Sequence, residues 1–161
     1  MKKILLLTLF LSFNVSAFSS LPPPYYLLRI ASEVSGIPLK GYGEDLDILI
    51  AGPEHPSFKE HEGTVGLFSK RGRRKLIIIR NDEHTTYGDI ITRLIHESVH
   101  YLQDPNLKCA GLPKRLQLER DAYIAENVFR KKYGKDLDIP IYDESEYDYL
   151  TDASSEVANN S

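Results

Sequence analysis

The segment His96-Glu97-Ser98-Val99-His100 constrains this chain more than any other, because it requires a helix and fixes the side chains on one face of it. Residues four apart lie one above the other on a helix, so the imidazoles of His96 and His100 can bind the same metal ion. Glu97 lies beside the first imidazole, where a carboxylate can accept a proton from water. The pattern predicts a metal centre; the alternative is a surface helix on which these residues coincide.

Apolar residues around the motif recur at helical spacing: Ile90, Ile91, Leu94, Ile95, Val99 and Leu102. Thr86 and Asp89 resemble a capping box in which Asp replaces the usual Glu or Gln. We therefore predict a helix over residues 87–103, ended by the Asp-Pro-Asn of residues 104–106. Its apolar face would be buried, while the two histidines would point into a cleft.

Residues 1–17 have the composition of a secretory signal peptide. Lys2 and Lys3 precede a short apolar run, and the Val-Ser-Ala of residues 15–17 matches a small-x-small cleavage site. The run is too short to span a bilayer as a mature helix. We expect cleavage after Ala17, a periplasmic or secreted location, and no stable membrane anchor after cleavage.

The mature chain would carry a net charge of −5, because loss of Lys2 and Lys3 lowers the value of −3 for the whole sequence. An acidic chain of this kind is not expected to bind nucleic acid. Cys109 is the only cysteine, so no internal disulfide can form. We expect it to be a small buried apolar residue rather than a free thiol that pairs with another chain.

Residues 18–141 have the length of one domain, and the order of their predicted elements indicates the α+β class. Besides the motif helix, one helix is predicted over residues 24–36 and another over residues 113–133, the second stopped by Gly134. Residues 142–161 are acidic and lack helical periodicity, so we expect a mostly disordered tail.

A small three-stranded sheet is expected between the first helix and the motif helix, with strands at residues 46–50, 64–69 and 75–80. The last strand is continuously apolar, which indicates burial on both faces. The last two strands form a hairpin rich in Lys and Arg at its turn. That turn is either a solvated tip or a contact site for an anionic surface or substrate. Residues 51–62 should form a loop in which His55 and His61 are solvated.

Two histidines leave a tetrahedral zinc ion without its third protein ligand. That ligand should come from the helix that folds back beside the motif. Glu119 lies on it, 19 residues after His100, which is enough for a turn and a return pass. Small Ala122, three residues on, permits the two helices to approach closely. We therefore prefer Glu119 as the third ligand, and its alternatives are Asp121, Glu126 and His84.

The patterns His96-Glu97-x-x-His100 and Glu119-x-x-Ala122 together resemble those of the zincin superfamily, in particular zinc metallopeptidases of the gluzincin type. The resemblance covers about residues 75–130. It implies a minimal zincin-like domain in which His96, His100 and Glu119 bind Zn²⁺ and Glu97 is the general base. It also implies that an extended peptide binds along an edge strand, which would be residues 75–80.

The chain departs from this pattern at several positions. Thermolysin-like enzymes have an Asp four residues after the ligand Glu, and Tyr123 stands there in this chain. A carboxylate that orients a ligand histidine must therefore come from elsewhere, and Asp121 or a backbone carbonyl are the candidates. The third histidine of the metzincins is absent, because position 106 is Asn106. Gln103 either contacts the centre or faces water, and Tyr101 and Tyr123 are candidates for stabilising an oxyanion.

These observations predict an exported zinc metallopeptidase that hydrolyses peptide or amide bonds of a peptide or protein substrate, with Glu97 activating a zinc-bound water. The alternative is a non-catalytic zincin-like binding module, in the cell envelope or secreted. In that case the basic hairpin or the acidic tail would contact a partner.

Overall fold

The computed structural model describes residues 21–61, 63–107 and 111–140. The described elements are four helices and three strands, in the order α1 (Pro24–Ser35), β1 (Leu46–Ala51), α2 (Pro56–Glu60), β2 (Gly66–Arg71), β3 (Arg74–Arg80), α3 (Tyr87–Leu107) and α4 (Leu112–Leu137). The predicted α+β class is confirmed. The predicted signal peptide, the acidic tail and Cys109 lie outside the described residues.

The three strands form one mixed sheet in the order β1-β3-β2. β1 pairs with β3 in parallel, and β2 pairs with β3 as the antiparallel hairpin that the sequence predicts. β3 is central, which explains its continuous apolar run: Ile77 and Ile79 are fully buried and Ile78 nearly so. The expectation that residues 75–80 form an edge strand is therefore wrong, and β2 is the edge strand beside the motif helix.

The helices α1 and α3 pack together and against the sheet, and they enclose the main core. Alternate residues of a strand face opposite sides of the sheet, so Ile77 and Ile79 share one side, where they join the helices. The fully buried residues of the two helices that complete this core are Leu27, Leu28, Ile30, Ile90, Ile91, Leu94 and Ile95. Burial of each such side chain contributes about 1.5–3 kcal/mol, so this layer anchors the helix that carries the motif.

The start of α3 agrees with its capping signal, but its end does not. The N–H of Asp89 donates to Thr86 Oγ1 at 3.1 Å, and the N–H of Thr86 donates back to Asp89 Oδ2 at 2.9 Å. The helix then continues past Gln103, through Pro105, to Leu107. Pro105 has no backbone N–H, so one helical hydrogen bond is missing in this last turn, although the helix continues.

The prediction that Gly134 stops the last helix is also wrong, because α4 continues to Leu137 and ends at Asp138, whose φ is +53°. Gly134 lies inside the helix, where the chain folds back over it. The N–H of Ile139 donates to the Gly134 carbonyl at 2.9 Å, and a Cβ atom at Gly134 would lie 3.0 Å from the Ile139 oxygen. The glycine thus permits a close backbone approach rather than a helix stop.

Within the predicted loop of residues 51–62, the structure contains the short helix α2. Pro56 occupies its first turn, and the Nδ1 atom of His55 accepts a hydrogen bond from the N–H of Ser57 at 3.3 Å. Phe58 is buried and fixes the helix to the domain. His55 is therefore a capping residue. Among the described residues, no helix combines the length and the apolar content that crossing a lipid bilayer requires.

Candidate metal centre

The helices α3 and α4 form the two sides of the candidate site. They run antiparallel. His100 therefore lies against Glu119, and His96 lies against Glu126, which is two helical turns further along α4. Ala122 lies between the two glutamates and is fully buried. Its small side chain lets the helices approach closely, as the sequence predicts, and polar side chains therefore meet across a narrow gap.

His96, His100 and Glu119 form the group that we name the metal cluster. Glu119 Oε2 lies 3.4 Å from His96 Nε2 and 3.3 Å from His100 Nε2, and all three ligand atoms lie within 4.8 Å of one another. Ligand atoms bound at about 2.0–2.1 Å to a tetrahedral zinc ion lie about 3.3 Å apart. The residues present therefore fit zinc. Within the described residues this is the one group of three or more such side chains that can hold a metal.

The alternatives to Glu119 have other contacts. The carboxylate of Asp121 accepts a hydrogen bond from Gln117 Nε2 at 2.8 Å. The side chain of His84 is 88% exposed, lies beside Glu83 and does not belong to the group of possible metal ligands. Glu126 does reach a histidine, but on the other nitrogen of the ring. The structure thus brings the preferred residue, Glu119, to the two motif histidines and does not bring Asp121 or His84 there.

Gln103 orients the ring of His100. Its Nε2 donates to the carbonyl of Leu118 at 3.1 Å, which leaves its Oε1 facing His100 Nδ1 at 2.9 Å. An amide oxygen can only accept, so the Nδ1 atom of His100 donates to it, and Nε2 is the ring nitrogen that faces Glu119. Of the two outcomes expected for Gln103, contact with the centre is the one observed, and the residue is almost fully buried.

Glu126 has the same role at His96. Its Oε2 accepts from His96 Nδ1 at 3.1 Å, while its Oε1 accepts from Arg130 Nε at 2.9 Å and Nη2 at 2.8 Å. Arg130 Nη1 also donates to the carbonyl of Pro140 at 3.0 Å. The orienting carboxylate is therefore Glu126 and not Asp121 or a backbone carbonyl. The available signal was its spacing: Glu126 lies seven residues, or two helical turns, after Glu119.

Glu97 lies at the wall of a cavity of about 450 Å³ that the metal cluster, Tyr123 and β2 also line; we name it the first cavity. The backbone of Gly66 passes so close to Glu97 that a Cβ atom there would lie 2.6 Å from Glu97 Oε1. Glu97 is nearly fully buried, and burial raises its pKa above the usual value for a glutamate. A raised pKa is the direction that a general base working near neutral pH requires.

The carboxylates around His96 favour a positive charge at this point. Burial alone would lower the pKa of His96, but its contacts with Glu119 and Glu126 outweigh burial and raise the pKa to about 10. The pKa of Glu119 is correspondingly far below its usual range, because the hydrogen bonds of both imidazoles outweigh burial. The carboxylates thus favour a positive charge at the imidazoles, and a metal cation would bind there in competition with this proton.

The two candidate oxyanion tyrosines have different positions. Tyr123 lines the first cavity, with its ring centroid 4.5 Å from that of His96. Tyr101 points the other way: its hydroxyl donates to Asp45 at 2.6 Å, and its ring packs edge-on against Phe68. Tyr123 therefore remains a candidate for contact with a substrate, whereas Tyr101 is a buried structural residue.

The hairpin charges are partly paired. The Oδ2 atom of Asp104, in α3, forms ion pairs with Lys70 Nζ at 2.9 Å and with Lys75 Nζ at 3.4 Å. Lys75 Nζ also lies 3.6 Å from Asp45 Oδ2. Burial raises the pKa of Asp104, but the hydrogen bond from Lys70 and the charges of both lysines outweigh it, so that the pKa lies below its usual value. These contacts hold the hairpin against the motif helix. Arg73, at the turn itself, is exposed.

No family model, no curated protein and no solved structure matches this chain.

Proposed function

We propose that this protein is an exported zinc-dependent metallopeptidase that hydrolyses peptide or amide bonds. The observation that carries the proposal is the convergence of two imidazole nitrogens and one carboxylate oxygen beside the buried carboxylate of Glu97. Two nitrogens and one oxygen suit zinc, whereas calcium and magnesium select sites made of oxygen alone. A structural zinc site would use four protein ligands, and the three that the described residues supply are typical of a catalytic site.

The chain supplies a residue that carries a proton, Glu97, and two residues that orient the histidines, Gln103 and Glu126. A zinc ion, when bound, supplies Lewis acidity that polarises a carbonyl and lowers the pKa of water. Glu97 accepts a proton from the attacking water and then donates it to the leaving amine. Gln103 and Glu126 keep the Nδ1 protons in place, so both Nε2 atoms remain available as ligands.

A peptide is the substrate class that the edge of the sheet favours. In an antiparallel pair, alternate residues direct their N–H and C=O groups toward the partner strand and away from it. The N–H of Arg80 donates to Val65, so the backbone groups of Gly66, Phe68 and Lys70 face away from β3. Because the first cavity borders this edge, an extended peptide can pair with β2 and bring a carbonyl to the metal cluster.

The decisive experiment measures zinc in the purified protein by elemental mass spectrometry. We expect about one zinc ion per chain, because three side chains form one site. Zinc should be lost in His96→Ala and weakened in Glu119→Gln. The matched control is Asp121→Asn, which changes the same kind of charge two residues away and should keep the metal. Absence of zinc in the wild type, even after reconstitution, would contradict the proposal.

Hydrolysis is tested separately with a mixture of unrelated peptides analysed by mass spectrometry. New cleavage products that disappear with a chelator and with Glu97→Gln would support a peptidase. One bound zinc ion without cleavage of any peptide would favour the alternative from the sequence, a metal-stabilised binding module.

A further inference from the structure

The cleft does not end at the metal cluster. A second cavity of about 510 Å³ adjoins the first, and the two share Phe68 and Glu119 as lining residues. The second cavity lies between the hairpin and the first turns of α4, where Lys70 and Arg115 line it. A substrate held at the metal cluster can therefore extend into a part of the cleft whose chemistry differs from that of the centre.

The second cavity is lined by cations from two different elements. Lys70 comes from β2 and Arg115 from α4, and the two acidic lining residues are Asp104 and Glu119. Asp104 already interacts with two lysines, and its side chain is only 10% exposed. Glu119 directs its carboxylate at the imidazoles of the metal cluster. Asp104 is thus bound to two lysines and Glu119 to the two imidazoles, while Lys70 remains 33% exposed at the cavity wall.

The distance from the centre to this cavity follows from how β2 lies along α3. Gly66 approaches Glu97, Phe68 packs against Tyr101, and Lys70 pairs with Asp104. Lys70 is therefore four strand residues from the position beside Glu97, about 13 Å at the rise of an extended chain. A peptide paired with β2 has the same rise, so a side chain three or four residues from the reacting bond reaches the second cavity.

We propose that the second cavity is a subsite that binds a carboxylate of the substrate, three or four residues from the bond that is cut, through Lys70 and Arg115. The inference rests on the proposed function, because it takes the metal cluster as the point where the substrate reacts. The carboxylate belongs either to an internal Glu or Asp side chain or to the free C-terminus of a peptide. Both sources present the same group to the two cations.

Binding is measured with the Glu97→Gln variant in the presence of zinc, so that no peptide is consumed. The probes are fluorescein-labelled, C-terminally amidated octapeptides of Ala and Ser that carry one Glu, or one Gln, at each position in turn. At low salt, fluorescence anisotropy should give about three- to tenfold tighter binding for Glu at one position, and added salt should reduce the ratio. A shorter peptide that ends at that position with a free carboxylate tests whether the C-terminus of a peptide binds there as well.

Two charge variants test the assignment. In Lys70→Glu, made on the Glu97→Gln chain, the preference for Glu over Gln should disappear or invert. Arg115→Gln is a second variant in which the pair of Lys70 with Asp104 stays intact, and it should reduce the ratio. The matched control is Arg73→Glu, which reverses a charge at the exposed hairpin turn outside both cavities. Retained binding of the Gln peptides reports that each variant is folded.

Equal affinities for the Glu and Gln peptides at every position, or no measurable binding of either set, would overturn the subsite. The same holds if Arg73→Glu abolishes the preference as fully as Lys70→Glu. The proposed function is read from other measurements, the zinc content and the cleavage products of the wild type. A peptidase without a Glu preference therefore contradicts only the subsite, and a chain without zinc contradicts the proposed function.

Discussion

The two cavities of the cleft differ in how firmly their polar side chains are held. At the metal cluster every polar side chain is buried or held by a second one: Gln103 fixes His100, and Glu126 fixes His96 while Arg130 fixes Glu126. At the second cavity, Lys70 is paired with Asp104, but its long side chain is 33% exposed and less closely confined. Bond breaking requires atoms held within fractions of an ångström, whereas attraction of a carboxylate requires only nearby charge. Substitutions should therefore have larger effects at the first cavity.

The largest effect is expected at the proton carrier. Glu97→Gln keeps the size of the side chain but removes the base, so turnover should fall by about two to four orders of magnitude. The zinc content should stay unchanged, because Glu97 is not a ligand. Cleavage rates and zinc stoichiometry are measured on the same preparation. Turnover close to the wild-type rate would show that Glu97 does not carry the proton.

A methyl group at Gly66 should have the next largest effect. In Gly66→Ala the new Cβ would collide with Glu97 Oε1, so the carboxylate must move. A shift of about 1 Å in a reacting group can cost about a hundredfold in rate, and we expect a loss of that order in kcat. Gly111→Ala is the control, because a Cβ there meets only ordinary contacts. Unchanged kcat in Gly66→Ala would mean that the position of Glu97 tolerates displacement.

Removing the charge of Glu126 tests whether this residue orients His96 for metal binding. In Glu126→Gln the hydrogen bond to His96 Nδ1 weakens and the pair with Arg130 is lost. Zinc affinity should fall by about tenfold or more, since groups that orient ligand histidines have effects of this size. Competition with a chromophoric chelator measures the affinity. Equal affinities of Glu126→Gln and Asp121→Asn would indicate that Glu126 does not act through the metal.

The smallest effect is expected at the second cavity, where Asp104→Asn removes the anion shared by two lysines. The pKa of Asp104 lies below its usual value because the lysines outweigh burial. Its carboxylate therefore stabilises the fold above about pH 4 and loses this contribution as pH falls through the folded pKa. At pH 7, the free energy of unfolding measured with urea should be larger for the wild type than for the variant, by at most about 1 kcal/mol. A difference that persists unchanged to pH 3 would contradict this account.

The features that the sequence predicts are those set by local spacing. The spacing of His96 and His100 and the cap at Thr86 depend only on helix geometry, and both agree with the structure. Glu119 could be predicted for a related reason. A short connection forces the next helix to return beside the first, and the small residue Ala122 indicates where the two helices approach closely.

The features that were missed depend on contacts between distant segments. The pairing of Glu126 with His96 joins residues 30 apart, and it depends on how α4 is rotated about its axis. The closeness of Gly66 to Glu97 depends on strand order, which hydrophobicity alone did not specify. The role of Gly134 also lies outside the local pattern, because it depends on the returning backbone of Ile139.

The bond from Arg130 to the carbonyl of Pro140 connects the residues that follow α4 with the metal cluster. Two side chains, Arg130 and Glu126, link Pro140 to His96, so a protease that cut the chain before Pro140 would weaken the hold of the Pro140 carbonyl on the guanidinium. The loosened Arg130 would then hold Glu126 less firmly, and the imidazole behind it would lose its alignment. Cleavage at this point would thus first lower the affinity of the proposed centre for zinc, before any loss of the fold.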